Sequence, residues 1–259
     1  MSTPNDQSVS LNKYISGTGI CSRREADQMI EAARVTINGE IARKGNRVLP
    51  GDKVLLDGKP LKAKPKTIYL AFNKPVGIVC TTDQREPKNI ISYINHPERL
   101  FPIGRLDKPS QGLIFLTNDG DIVNKVLRAG NKHEKEYIVT VSRPINQRFV
   151  QRMSNGIPIL GTVTKKCFVE QVGKSTFRII LTQGLNRQIR RMCEFLGYRV
   201  SRLKRVRIMH IELGALKTGE WRELTSKEEQ QLLKMVRHSS KTADAPKPHK
   251  KRSSRRKKN

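Results

Sequence analysis

Carboxylates are scarce in this chain: 23 Asp and Glu stand against 51 Lys and Arg, a formal charge of +28 over 259 residues. A soluble protein with that surplus repels itself unless it meets a polyanion. Nucleic acid fits, because each neutralised phosphate releases counterions. Long apolar runs are missing too. No stretch is long enough to span a bilayer and no basic helix has a bulky apolar face, so a membrane is not the expected partner. The opening residues, MSTPNDQSVS, are polar and have no apolar h-region, which argues against a secretory signal. The four cysteines, Cys21, Cys80, Cys167 and Cys193, form no C-x-x-C pair. That speaks against a zinc site and for buried thiols of a cytosolic protein. Hydrophobic residues make up 36%, enough for a core but below the usual globular share.

Three regions separate by composition. Residues 9–64 form a small unit. Leu11 to Ile15 have helical spacing, broken at Gly17 and Gly19. Ser22 and Glu25 have the spacing of a capping box, and Ala26, Met29, Ile30 and Ala33 then make a core-facing stripe. Val35 and Ile37 before Asn38-Gly39 signal a hairpin. Val54 to Leu56, Asp57-Gly58 and Leu61 signal a second, with Pro60 and the run 62–66 as linker. Residues 67–239 are longer. Strands are expected at 68–72, 113–116, 137–141, 177–181 and 207–211, and helices at 120–128, 146–154, 186–196 and 226–237, the third ending at Gly197. Strands outnumber helices and cluster in hairpin-like pairs, so the fold class is α+β with a large mixed or antiparallel sheet. Residues 240–259 are rich in Lys, Arg, Ser and Pro without apolar periodicity, the composition of a disordered tail.

Three stretches of the large region carry chemistry. In Gly104-Arg105-Leu106-Asp107-Lys108-Pro109-Ser110, an Asp before Lys-Pro-Ser is first of all a turn residue. However, Arg105 and Lys108 flank the carboxylate and favour its ionised form, and the apolar strand that follows is a rigid base for a catalytic loop. In His133-Glu134-Lys135-Glu136-Tyr137, a Tyr opening a strand is first of all packing. Its functional reading is a ring that stacks on a base, with a phenol able to move a proton. In Gly184-Leu185-Asn186-Arg187-Gln188-Ile189-Arg190-Arg191, Arg187, Arg190, Arg191 and Glu194 fall on one helical face and Ile189, Met192, Cys193 and Leu196 on the other. The basic stripe is a phosphate or carboxylate clamp or a solvated face with ion pairs to Glu194. In the small unit, Lys13, Arg23 and Arg24 surround a helix start, a place that favours phosphate. Taken alone, they read first as a solvated basic face.

Residues 11–39 resemble the alpha-L RNA-binding domain first known in a small-subunit ribosomal protein. The three stretches, in this order, resemble motifs one to three of the RsuA-type pseudouridine synthases. The wording at 102–107, 127–131 and 184–193 is most similar to the RluF branch of that family. The resemblance spans about residues 10–240 and implies an enzyme that isomerises uridine in large-subunit (23S) ribosomal RNA, with the anticodon of tyrosine tRNA as a second substrate. It implies base flipping, Arg105 entering the vacated space, Tyr137 stacking on the uracil, Asp107 as nucleophile and Arg190 as its ion-pair partner. Leu106, Lys108, Arg187, Gln188, Ile189 and Arg191 join Lys13, Arg23, Arg24 and Arg105 as expected RNA contacts. No metal or other cofactor is expected, because isomerisation is redox-neutral and adds no group. The expected molecule is a cytoplasmic monomer. Two rivals remain at this point. One is a non-catalytic RNA-binding ribosome assembly protein, which fits the charge but has no need of Asp107, Tyr137 and Arg190 together. The other is a hydrolase using Asp107, which lacks a second carboxylate or metal cluster near the motif.

The tail yields a direct expectation. From residue 241 on it holds nine Lys or Arg and one Asp. Truncation after Lys241 should flatten the salt dependence of RNA binding by about 0.7 in log–log slope for each phosphate the tail neutralises, measured by filter binding or fluorescence anisotropy. An unchanged slope means that the tail does not touch RNA.

Overall fold

A computed structural model describes residues 7–239. The expectation for 240–259 lies outside the described residues. The small unit opens with β1 (Val9–Ser10), α1 (Leu11–Gly17) and α2 (Arg23–Glu31). Ser22 caps α2 through a complete capping box with Glu25, which satisfies two orphan donors of the first turn. The helix is shorter than its stripe suggests. It ends at Glu31, and Ala33 is an exposed turn residue with φ of 55°. Its partners Ala26 and Ile30 are buried. Strands β2 (Val35–Ile37) and β3 (Glu40–Ile41) form the Asn38-Gly39 hairpin, followed by β4 (Arg47–Val48), β5 (Val54–Leu56) and β6 (Lys59–Pro60). The sheet order is β3-β2-β5-β6. Pro60 is therefore a strand residue rather than linker, and it sits on an edge, where a missing donor does little harm.

The large unit runs β7 (Tyr69–Lys74), α3 (Ile90–Ile94), β8 (Phe101–Ile103), β9 (Gln111–Thr117), α4 (Gly120–Leu127), a short 3-10 turn at Ala129–Asn131, β10 (Lys135–Val141), α5 (Gln147–Ser154), β11 (Pro158–Ile159), β12 (Thr162–Val163), β13 (Phe168–Gly173), β14 (Thr176–Leu181), α6 (Gln188–Phe195), β15 (Val200–Ile208), β16 (Ile211–Glu212), β17 (Trp221–Glu223) and α7 (Ser226–Val236). Nine of the strands form one sheet, ordered β13-β14-β10-β15-β9-β7-β17, with β8 on β9 and β16 on β15. The β9–β15 pair is parallel and the other pairs of this sheet are antiparallel, so the sheet is mixed. The strand expected at 207–211 is divided. Met209 has φ of 55° and turns the chain between β15 and β16.

Alternation along the central strands loads both faces. Leu70, Phe72, Ile114 and Leu116 pack with α3, α5 and α6 on one side, while Tyr69, Ala71, Leu113 and Phe115 pack with α4 and α7 on the other. Three cysteines are buried, but Cys167 is only half-buried. The small unit has its own core and is tied to the large one by polar contacts. Lys13 pairs with Asp121 of α4 at 2.6 Å, and the Arg99 guanidinium donates to the Cys21 carbonyl at 2.9 Å.

The parallel pairing depends on one glycine. Gly112 has φ of +109°, and a Cβ there would lie 2.2 Å from the Arg205 carbonyl oxygen. Gly112→Ala should therefore cost at least about 2 kcal/mol of stability from overpacking and backbone strain. Gly17→Ala, where nothing lies within 4 Å, should change stability by less than about 0.5 kcal/mol. Denaturant titration of both variants checks the contrast.

Candidate active site

The stretch Gly104–Ser110 becomes a loop between β8 and β9. Gly104 enters it at φ of +83°, pressed against Leu127, where a Cβ would meet a methyl at 2.7 Å. Leu106 turns into the core. Asp107 then opens a turn closed by the Ser110 N–H donating to the Asp107 carbonyl at 2.9 Å. The turn reading of Asp107 and its placement in a site thus hold together. The carboxylate itself is a third exposed, at the mouth of a cavity of about 370 Å³, within the range of about 300–1,000 Å³ typical of small-molecule sites.

The turn is held from beneath by buried cations. Lys74 is fully buried, and its ammonium donates to the Pro75 and Ser110 carbonyls at 2.8 and 2.9 Å. Arg190 donates to the Pro109 carbonyl at 3.0 Å, the Ser110 hydroxyl at 3.1 Å and the Val200 carbonyl at 3.3 Å. The Gly77 N–H holds the Lys108 carbonyl at 2.8 Å. Burial pushes the Lys74 pKa down. Arg190 is lowered too, by burial first and by neighbouring Arg187 second, with Asp107 acting in the opposite sense.

The basic stripe expected on the third stretch is split. Helix α6 begins at Gln188, not Asn186, and Arg187 stands before it in the left-handed region at φ of 50°, a strained position for a non-glycine residue. Arg190 faces inward and is 7% exposed, because the turn's carbonyls need buried donors. Arg191 folds back onto Asn186, and Glu194 is exposed. Arg190 Nε lies 3.9 Å and Arg187 Nη1 4.0 Å from Asp107 Oδ2. These distances suit opposite charges in contact but are longer than hydrogen bonds.

Tyr137 lies on β10, 9% exposed, and lines the cavity. Leu106, Gln188 and Ile189, expected as RNA contacts, are buried side chains of the cavity wall. They are available to a base inserted in the cavity rather than to an RNA backbone running over the surface. Arg105, Lys108 and Arg187 are exposed around the mouth. In the small unit Arg23 and Arg24 are exposed. Lys13 is engaged with Asp121, a carboxylate only the tertiary fold brings near. Among the described residues, no group of three or more His, Cys, Asp or Glu could hold a metal ion, and no helix is long and apolar enough to cross a membrane.

Sequence reasoning missed two cavity cations. Lys135 could have been found, because it stands two residues before Tyr137 on a strand and so shares its face. It is buried and donates to the His133 carbonyl at 3.1 Å. Arg205 is paired with Tyr137 across β10 and β15. Its signal is lost among the arginines and lysines of 199–207.

Burial, and then the charge of Arg205, push the Lys135 pKa from 10.5 to about 8. A depressed lysine binds its proton less well in the folded than in the unfolded state. Below pH 8 the buried charge therefore costs stability in full, and the cost is relieved as pH rises from about 8 to 10.5. Lys135→Met should raise the melting temperature at pH 7, and the gain should shrink across that window. Calorimetry at pH 7 and pH 10 tests it, and a gain independent of pH contradicts a charged, buried lysine.

The profile of the RNA pseudouridylate synthase family matches residues 68–195, and that of the S4 domain matches residues 9–54. The chain is 57% identical over 237 residues to the dual-specificity RNA pseudouridine synthase RluF of Escherichia coli K12, covering 91% of this chain and 82% of that protein. It is 30% identical to ribosomal large subunit pseudouridine synthase B of Bacillus subtilis, over 88% of this chain and 97% of that one. A crystal structure of a pseudouridylate synthase superposes with a TM-score of 0.64 at 28% identity, covering 86% of this chain and 99% of the other.

Proposed function

The chain belongs to the RNA pseudouridylate synthase family, and from that premise we propose that it flips a uridine of 23S ribosomal RNA into the cavity beside Asp107 and isomerises it there, with the anticodon of tyrosine tRNA as a second target. That it is an RNA pseudouridine synthase with an N-terminal S4 domain follows from its relatives. The choice of RNA rests on the likeness to the dual-specificity enzyme. Residues 9–64 act as the RNA-binding domain, 67–239 as the catalytic domain and 240–259 as a basic tail.

In this reading Asp107 is the nucleophile. The carrying observation is that its carboxylate reaches the cavity from a turn whose carbonyls are clamped by Lys74, Arg190 and Gly77. A positioned carboxylate lining a cavity suits covalent or proton-transfer chemistry on an inserted nucleotide. Arg190 and Arg187 flank it with positive charge, their guanidinium nitrogens within 4.0 Å. Tyr137 offers its ring to the uracil, and Arg105, exposed at the rim, enters the gap the base leaves. Arg23, Arg24, Lys108 and Arg191 serve the phosphates. The non-catalytic assembly protein is disfavoured, because such a protein has no use for a clamped carboxylate inside a cavity. In this reading the enzyme acts as a cytoplasmic monomer, the location resting on its likeness to the bacterial RluF enzymes.

Asp107→Asn keeps the shape of the side chain and removes its nucleophilicity. It should abolish pseudouridine formation in ribosomal RNA, read by carbodiimide-based mapping, while RNA affinity changes no more than a few-fold. Wild-type turnover by the Asn variant would refute the assignment.

A further inference from the structure

Among the described residues, Arg205 is the nearly fully buried cavity-lining cation that has an unpaired donor and no carboxylate facing it. It is 4% exposed, and its Nε donates to the Leu113 carbonyl at 2.6 Å. Its second terminal nitrogen, Nη2, is buried with no hydrogen-bond partner among the described residues. Other cations of the site have acceptors: Lys74 the Ser110 carbonyl, Lys135 the His133 carbonyl, and Arg190 the turn. Arg190 Nε lacks a hydrogen bond but faces Asp107 at 3.9 Å. Among the described residues, Arg205 has no carboxylate within 4 Å. A buried guanidinium donor without an acceptor costs free energy, so its persistence calls for an acceptor that arrives with the ligand.

The position is rigid. Register places Arg205 across from Tyr137, and Gly112 lets β9 pack against the Arg205 backbone so closely that no side chain fits between them. A uracil lying against Tyr137 therefore has this donor beside it.

We propose that Arg205 is a further catalytic residue, which donates a charge-assisted hydrogen bond to a carbonyl oxygen of the flipped uracil and stabilises the negative charge that base acquires when its glycosidic bond breaks. This rests on the Asp107 reading given above. When C1′–N1 breaks, its electron pair stays with the base as a uracil anion spread over N1, O2 and O4, while the ribose carbon is taken by the Asp107 carboxylate or loses a neighbouring proton to it. Attack of Asp107 at C6 of the ring instead places the charge on O4 and C5 as an enolate before C1′–N1 breaks. In each route C5 then bonds to C1′, Asp107 leaves as carboxylate or returns its proton, C5 loses its proton to a base, and N1 gains one. The base carries the charge in all of them, so a fixed cation at its oxygen lowers the barrier without choosing among them. Lys135 in the same cavity adds to this field. The repulsion between it and Arg205 is relieved when an anion forms in the cavity both line.

The test uses the full chain and a synthetic stem-loop built around a mapped target uridine, carrying uridine or 5-fluorouridine at that position. Fluorine stabilises the uracil anion and lessens the need for the donor. Arg205→Gln should slow single-turnover loss of the target uridine by about 10²–10³-fold, the usual cost of one such donor, with RNA affinity changed only a few-fold. The same variant should lose clearly less with 5-fluorouridine. If Gln prevents folding, shown by a lost near-ultraviolet dichroism signal, Arg205→Lys carries the test. It should be slowed on uridine and partly rescued by the fluorinated base. Equal slowing on both bases, wild-type rates, or a loss confined to RNA affinity, as a phosphate contact would give, overturns the proposal. If Asp107→Asn also remains active on this stem-loop, the Asp107 reading has failed instead.

Discussion

The structure turns on the hydrogen bonds that hold the carbonyl oxygens of a tight turn against buried cations. The Asp107 carboxylate is a third exposed, while the backbone that carries it is held from beneath. The carbonyls of Lys108, Pro109 and Ser110 are met by Gly77, Arg190 and Lys74. A proline-containing turn cannot supply all these donors from its own backbone. Lysine and arginine enter the interior because each reaches across the gap with a charged donor, and the charge-assisted bonds they make offset part of their desolvation. The carboxylate that emerges is fixed in position through its backbone, and of the clamping groups Arg190 also faces its Oδ2 at 3.9 Å.

The same constraint explains the split of the basic residues along the third stretch. A helix carrying Arg187, Arg190 and Arg191 could present all three to solvent. The turn draws Arg190 inward, and the left-handed residue Arg187 ends the incoming loop so that its guanidinium reaches the carboxylate from the solvent side. Two cations thus approach one carboxylate, one from the core and one from the mouth. Outside the cavity the excess charge has the different task of meeting phosphate, and there exposed side chains suffice.

The two units share this economy of charge. The carboxylates are few, and several are taken up at the joint or within local networks. Asp121 accepts Lys13, and Glu25 caps its helix while facing Arg99 at 3.8 Å. Consequently the basic surface of the small unit is not uniformly available. Lys13 helps hold the units together, whereas Arg24 stays exposed.

The division between what sequence and fold each determined follows from the range of the interactions. Local signals settle within a few residues, so they are legible. The Ser22–Glu25 capping box, the Asn38-Gly39 hairpin, the four long helices and the strands around Leu113–Leu116 and Tyr137–Val141 all form where spacing and turn chemistry put them. The three stretches that line the cavity are legible too, because each brings a reactive type beside residues that anchor it. What sequence could not decide was which charged side chains turn inward. Resemblance singles out Arg190 as the partner of Asp107, but Arg205 looks like any arginine in a chain with 51 basic residues. Lys74 ends a strand as any lysine might, and Lys13 resembles a free phosphate contact. Their fates depend on carbonyls and carboxylates between 36 and 108 residues away. No periodicity encodes such partners. Only the parallel pairing of β9 with β15, made possible by the absent side chain of Gly112, brings Arg205, Tyr137 and the Asp107 turn around one cavity, because only the assembled sheet sets residues so distant in sequence within hydrogen-bonding reach.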